Sequence, residues 1–243
     1  MKKLLVLTAL SAALSIGAAW AQSPAPQAKT FTAAVVSNPE QHATLYFDSE
    51  WKVVDKPVDG GYFRKVLGKS ANDYYVVQDF YQDSGTKQTE AFEVMTQDGL
   101  RSGESVENVH GALTWYTQEG VLDQALQFAH GVFTYGEKYH PNGRVGATVV
   151  PVEHNKYRHK IQLWAEDGSK EDTYVLKSDG VPTLEVWEAE GRQRIRAEMG
   201  GQDINDWVVE YWNEQGQKAT PHALRVLLEF VVDTLKTRMP GGF

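Results

Sequence analysis

Between Gln78 and Gly216 apolar and polar residues alternate in short runs, and each run ends on an aromatic residue followed four positions later by a glycine. The pairs are Tyr81/Gly85, Tyr116/Gly120, Tyr139/Gly143, Trp164/Gly168, Trp187/Gly191 and Trp212/Gly216. Seven positions before the glycine stand Leu113, Ile161, Leu184 and Val209, with Gln78 and Gly136 as exceptions. Six before stand the polar Asp79, Thr114, Glu137, Gln162, Glu185 and Glu210; five before stand Phe80, Trp115, Leu163, Val186 and Tyr211, with Lys138 as the exception. A period of two belongs to a strand, so each unit contains one. Polar pairs such as Asp83-Ser84, Pro141-Asn142 and Glu166-Asp167 precede the glycines. They are turn formers, and glycine accepts the positive φ that closes a turn. Each aromatic-x-x-x-glycine is therefore expected to be a hairpin tip.

From Gly120 onward the glycines recur every 23 to 25 residues. A fixed period of this size means stacked copies of one supersecondary unit. Midway between the tips, return turns are expected at His130-Gly131, Asn155-Lys156, Asp179-Gly180 and the run from Gly200 to Asp203. The wider interval before Gly120 holds a loop around Asp98 to Val109, marked by Gly99, Gly103 and Asn108. The fold expected is all-β: an antiparallel meander of about six repeated hairpins over residues 81–219, in a single-layer or shallowly curved sheet. Residues 42–80 read as strands at 43–47, 62–66 and 74–77, with turns at Asp59-Gly60-Gly61 and near Asn72, capping the first hairpin.

In residues 220–243 the pattern changes period. Thr220-Pro221 is a helix start, and Leu224, Leu227, Leu228, Val231, Val232 and Leu235 follow at helical spacing before Pro240-Gly241-Gly242. The helix is expected to cover the apolar end of the last hairpin; the rival reading makes it a docking site for another protein. The aromatic column is expected to be structural, each ring lying over its glycine and against the next ring. The alternative leaves Trp164, Trp187 and Trp212 partly exposed as an interaction surface for peptides, sugars or lipid.

The ends add a compartment. Met1 to Ala21 carries Lys2 and Lys3, an apolar run from Leu4 to Ala19 and the small-x-small site Ala19-Trp20-Ala21, the layout of a secretory signal peptide. The run is short for a membrane span, so no stable span is expected after cleavage. The periplasm is the first expectation and secretion the second. Residues 22–41, rich in Ala, Ser, Pro and Gln, read as a disordered linker. Cysteine is absent, which excludes disulfides and thiolate metal sites. A formal net charge of −8 argues against nucleic acid as a partner.

Catalytic signatures do not occur in the sequence. Gly68-Lys69-Ser70 resembles the tail of a phosphate-binding loop, but Phe63 stands where its first glycine belongs. No G-x-S-x-G or H-E-x-x-H is present. His154 and His159, with Glu153 beside them, are the nearest approach to a metal site; a return turn there favours solvated histidines. The column Glu137, Glu185 and Glu210 reads as the wet side of the sheet. No catalytic, cofactor-binding or metal-ligating residue is assigned.

The segments Gly111-Ala112-Leu113-Thr114-Trp115-Tyr116-Thr117-Gln118-Glu119-Gly120 and Gly136-Glu137-Lys138-Tyr139-His140-Pro141-Asn142-Gly143 resemble the MORN-variant repeats of the YwqK-like proteins. Gly61 to Val66 and Tyr75 to Tyr81 are similar to the lead-in of secreted members. The likeness runs from Gly61 to Gly216, with Trp164, Trp187 and Trp212 replacing the usual Tyr. It implies a hairpin-repeat fold without shared catalytic residues. It also implies a protein partner, since the family is commonly labelled as antitoxin components of toxin–antitoxin modules. The function expected is a non-enzymatic protein–protein interaction scaffold, antitoxin- or immunity-like, bound to a toxin or an envelope component. The alternative is a periplasmic glycan- or lipid-binding protein.

Overall fold

The computed structural model describes residues 30–37, 43–103, 106–152, 155–177, 180–201, 206–219 and 224–238. The expected signal peptide and the Thr220-Pro221 cap lie outside the described residues. Short strands open the chain: β1 (Thr44–Phe47), β2 (Val53–Val54), β3 (Tyr62–Lys69), β4 (Tyr75–Tyr81) and β5 (Phe92–Val94). The repeats follow as β6 (Val109–Tyr116), β7 (Leu122–Ala129), β8 (Val132–Tyr139), β9 (Val145–Val152) and β10 (Asn155–Trp164). They continue as β11 (Lys170–Lys177), β12 (Thr183–Trp187), β13 (Gln193–Glu198), β14 (Val208–Trp212) and β15 (Lys218–Ala219), before helix α1 (Leu224–Arg238). All 15 strands join one open antiparallel sheet, each of β3 to β15 beside its neighbours in sequence, with β1 between β3 and β2.

The tips take the form their residues dictate. The Thr117 N–H donates to the Val121 carbonyl at 2.8 Å, and the Gly120 N–H donates to the Thr117 carbonyl at 2.9 Å. The same pair of bonds joins His140 with Arg144 and Gly143, Ala165 with Ser169 and Gly168, Glu188 with Arg192 and Gly191, and Asn213 with Gln217 and Gly216. This is the three-residue hairpin loop in which a left-handed residue ends the turn. That residue is the repeat glycine every time, with φ from +73° to +89° over these five tips.

Gly85 does not belong to this set, and its expected place as the first repeat glycine is corrected. It closes a turn with positive φ (+66°), but the turn is one residue longer. The Tyr81 N–H donates to the Thr86 carbonyl and the Gly85 N–H to the Tyr81 carbonyl, each at 2.9 Å. The bonding therefore begins on the aromatic residue itself, whereas in the later tips it begins one residue after it. No full strand returns from Gly85 either: Phe80 and Lys87 form an isolated bridge, and the chain reaches β5 only at Phe92. The uniform hairpins thus number five and start at Gly120.

At Gly143 an added Cβ would meet open space, so only the backbone conformation (φ +78°) demands glycine. Gly143→Ala is therefore expected to cost about 1–2 kcal/mol, and Gly143→Asn less, because Asn tolerates this region. The shift in urea midpoint at constant slope measures both.

On the return edge, His130 (φ +50°) and Gly131 (φ +77°) form the two-residue turn with both residues left-handed, and Gly180 also has positive φ. The turn expected at Asn155-Lys156 is displaced. Asn155 already pairs with Val152, so Asn155-Lys156 belongs to β10, and the ladder slips between Asn155 and His159. Pro151 stands at that slip, where it has no N–H to give.

One rung of paired residues runs through the repeats: Leu113, Leu126, Gly136, Val149, Ile161, Tyr174, Val186, Ile195 and Tyr211. Leu126, Val149 and Ile161 are fully buried, worth about 1.5–3 kcal/mol apiece. A sheet buries this face only if something covers it, and two different covers do so. Leu100 and Val106, in the region of the loop expected around Asp98 to Val109, pack onto Val77, Phe92, Val94 and Val109. Helix α1 brings Leu228, Val231 and Leu235 onto Ile161, Leu184 and Ile195. Phe133 packs against both clusters. Gly136 makes that join, since a Cβ there would lie 2.9 Å from Leu126 and 3.2 Å from the Phe133 ring.

Part of the stretch read as a linker over 22–41 is strapped to the sheet. The Ala33 N–H donates to Ala91 at 2.7 Å, the Val36 N–H to Lys69 at 2.9 Å, and the Lys69 N–H to Ser37 at 2.8 Å. The linker reading is corrected for residues 30–37, because strand-margin groups of Lys69 and Ala91 take this segment as their partner.

Candidate functional site

The face opposite the covered one carries the aromatic column. Trp187 and Glu185 alternate with the buried Val186 and Leu184, Trp164 and Gln162 with Leu163 and Ile161, and Trp212 and Glu210 with Tyr211 and Val209. The column sits where each tip begins, and each ring is paired across its hairpin. Tyr116 faces Leu122, Tyr139 faces Val145, Trp164 faces Lys170, Trp187 faces Gln193 and Trp212 faces Lys218. The rings therefore stand on alternate strands, about 9.5 Å apart.

That spacing corrects the expected ladder of ring on ring. Between the rings lie the partner residues, and Val145, Tyr139 and Ala125 form a small cluster on which Leu122 and Trp164 pack. A Cβ built at Gly85, Gly120, Gly143, Gly191 or Gly216 meets nothing within 4 Å, so no ring stands where a side chain at these glycines would project. Tyr81 leaves the row altogether. It follows Val77 and Asp79 at two-residue spacing, on the covered side, and its hydroxyl donates to the Tyr116 carbonyl at 2.8 Å.

Along the row the intervening residues change from apolar Leu122 and Val145 to Lys170, Gln193 and Lys218. Tyr139 is buried, whereas Trp164, Trp187 and Trp212 are half-buried. The Lys218 ammonium lies 5.6 Å from the Trp212 ring centre, a cation–π distance.

The glutamate column divides. Glu137 is buried and accepts hydroxyl bonds from Tyr135, at 2.5 Å, and from Tyr139. Burial, then Glu137, push the Tyr135 hydroxyl well above its ordinary pKa, keeping it a donor. Glu185 accepts the Trp187 indole N–H at 3.2 Å, and Glu210 pairs with Lys218 at 2.5 Å.

Compared with known proteins, the chain matches no family model and no curated protein.

Beside Trp187 the open face dips into a groove of about 300 Å³. Its floor is Thr173 and Val175 of β11, and Arg158 and Lys160 of β10, Lys170, Glu185 and Glu188 rise around it. The Lys170 ammonium donates to the Ala189 carbonyl at 3.1 Å. Glu188 is bound by Arg194 and Arg192, and these partners, Arg194 foremost, hold its carboxyl below the usual range. A depressed carboxylate contributes stability above its unfolded pKa, about 4.3, and loses it as pH falls through the lower folded value. The melting-temperature difference between the wild type and Glu188→Gln is thus expected to hold from pH 7 to about 5 and to shrink below about 4.3. Solvent screening limits it to at most about 1 kcal/mol.

Arg158 and Lys160 were not singled out in the sequence, yet the signal was there. They precede Trp164 by even intervals, which places all three on one face of β10. Arg64 and Asp79 were missed with less to find them by. Both are buried and joined by two bonds, of 2.7 and 2.8 Å. The third arm of the guanidinium donates to the carbonyls of Gly99, Leu100 and Ser102 at 3.2–3.3 Å, and Phe47 and Phe92 flank it at 5.5 and 5.4 Å. A buried ion pair can mark an active site. Here the protein itself occupies the hydrogen-bonding groups, and the pair clamps the covering loop to the sheet.

His159 of the sequence-level metal candidate is half-buried, with its ring 5.7 Å from Phe133, and burial lowers its pKa. His154 lies outside the described residues. Among the described residues no group of three or more His, Cys, Asp or Glu could hold a metal ion, and no helix is long and apolar enough to cross a membrane.

Proposed function

We propose that the chain is an exported, non-enzymatic repeat protein whose uncovered sheet face binds another protein, an envelope component or a toxin. The reading rests on one observation. The sheet is covered on one face by Leu100, Val106 and α1, while the other face presents Trp164, Trp187 and Trp212 half-buried, one per hairpin, beside a groove. Half-buried tryptophans in a row give a partner apolar area at low entropic cost, as interface anchors do. The resemblance to MORN-variant repeats supports the same reading, and the signal-peptide pattern supports export to the periplasm.

The test is a cross-linked pull-down of the full tagged chain from its own cells, run beside the double variant Trp187→Ala and Trp212→Ala. One protein retained by the wild type and lost from the variant, with the variant's circular dichroism unchanged, supports the proposal. Equal capture by both, or no specific capture, contradicts it.

A glycan- or lipid-binding role is the second reading, favoured by the same half-buried indoles. It predicts a shift of tryptophan fluorescence on adding envelope glycan or lipid vesicles, abolished by Trp187→Ala.

A further inference from the structure

We infer that the groove beside Trp187 receives an extended acidic segment of the partner protein, its carboxylates on Arg158 and Lys160; this rests on the protein-binding reading above.

The charge distribution is the first support. The chain is acidic overall, with a formal net charge of −8, yet the balance of charge around the groove is cationic. Of its two carboxylates Glu188 is neutralised by Arg194 and Arg192, while Glu185, bonded by the neutral Trp187 N–H, keeps its charge and offsets one of the three cations Arg158, Lys160 and Lys170. Lys170 is bonded to a neutral carbonyl and keeps its charge unneutralised. Arg158 stands opposite Lys177 in the ladder, and Lys160 stands between Val150 and Val175. Among the described residues, neither Arg158 nor Lys160 has a carboxylate partner.

Spacing is the second support. Arg158 and Lys160 are two residues apart on one strand and on one face, a separation of about 6.6 Å. An extended peptide repeats its own same-side residues at that distance. A ligand segment with acidic residues at alternate positions, lying along β10, would set one carboxylate over each cation. Bidentate bonding suits Arg158 and a point charge suits Lys160. Val152, Val175 and the Trp187 ring offer the adjoining apolar surface. The volume, about 300 Å³, is at the small end for ligand sites, so it fits one segment and not a domain.

The test titrates the purified protein with a fluorescent peptide of alternating Glu and Thr, its counterpart of alternating Gln and Thr, and an oligogalacturonate. The Glu peptide is expected to bind at least about tenfold more tightly than the Gln peptide, and added salt should weaken it. The double reversal Arg158→Glu and Lys160→Glu should reduce binding at least about tenfold with an unchanged circular dichroism spectrum, while Lys52→Glu, on the exposed turn between β1 and β2, should leave it intact. Equal binding of the two peptides, or indifference to the double reversal, would overturn the inference. Oligogalacturonate binding without peptide binding would reassign the groove to an anionic glycan and overturn it as well. A protein captured through Trp187 and Trp212 but insensitive to the double reversal would overturn the acidic-segment inference alone. A Glu-peptide site in a chain that captures no protein would refute the protein-binding reading instead.

Discussion

Asp79→Ala is expected to destabilise the protein by about 3–5 kcal/mol, seen as a lower urea midpoint. The guanidinium of Arg64 is 2% exposed, and Asp79 holds two of its arms. Without that carboxylate a cation stays buried against Phe47, Phe92 and three carbonyls that cannot neutralise it. The damage will concentrate in residues 98–103, whose backbone the same guanidinium holds, so amide exchange should accelerate there first. Asp79→Asn leaves hydrogen-bonding groups in place but removes the charge, and it should fall between the wild type and Asp79→Ala. The double change Arg64→Met with Asp79→Leu should recover much of the loss, because apolar replacement of a buried pair is often near neutral. If Asp79→Ala proves as stable as the wild type, the clamp has been misread.

Leu228→Ala carries the second large effect, about 2–5 kcal/mol. Leu228 is 2% exposed and enters the same cluster as Ile161, Leu184 and Ile195. Leu228, Val231 and Leu235 anchor the helix in this cluster, with Arg238 adding bonds to the Gly146 and Trp164 carbonyls. Removing one of these anchors weakens the docking of the whole helix. The loss should therefore detach α1 and leave the hairpins folded, as nearest-neighbour coupling in repeat proteins allows. Amides of 226–238 should lose protection while those of β6 to β8 keep theirs, and the uncovered Ile161 and Leu184 should raise dye binding. Uniform unfolding would show instead that the helix and hairpins form one cooperative unit.

The fold was legible because the repeat ties local rules to global ones. A glycine four residues after an aromatic fixed each tip from Gly120 onward, and two-residue alternation assigned Ile161 and Leu184 to one face and Gln162 and Glu185 to the other. The helix could be read from Leu224 to Leu235 through its change of period. Other features depend on contacts between segments far apart in sequence, which alternation does not encode. Thus the strap at Ala33 and Val36 is invisible in a stretch rich in Ala, Ser and Pro. Tyr81 and Gly85 match their columns in sequence but not in space. Their strand belongs to the register of Val77 and Asp79, which puts the ring on the other face and lengthens the turn by a residue. The tryptophan surface could be named but not its separation, since whether the rings touch depends on which strands intervene. The groove needed both kinds of information: parity placed Arg158 and Lys160 beside Trp164, and strand pairing brought Trp187 and Glu188 alongside.

The most direct test of the central claim, that the uncovered face is the binding face, is site-specific photo-cross-linking in the living cell. A photoreactive residue is placed at Gln193, opposite Trp187 on the open face, and, separately, at Phe230 on the solvent side of α1, where the wild-type side chain is 66% exposed. One protein adduct is expected from position 193, reduced by Trp187→Ala and Trp212→Ala, and none of that mass from position 230. An adduct from position 230 with none from position 193 would contradict the claim and make the helix the docking site.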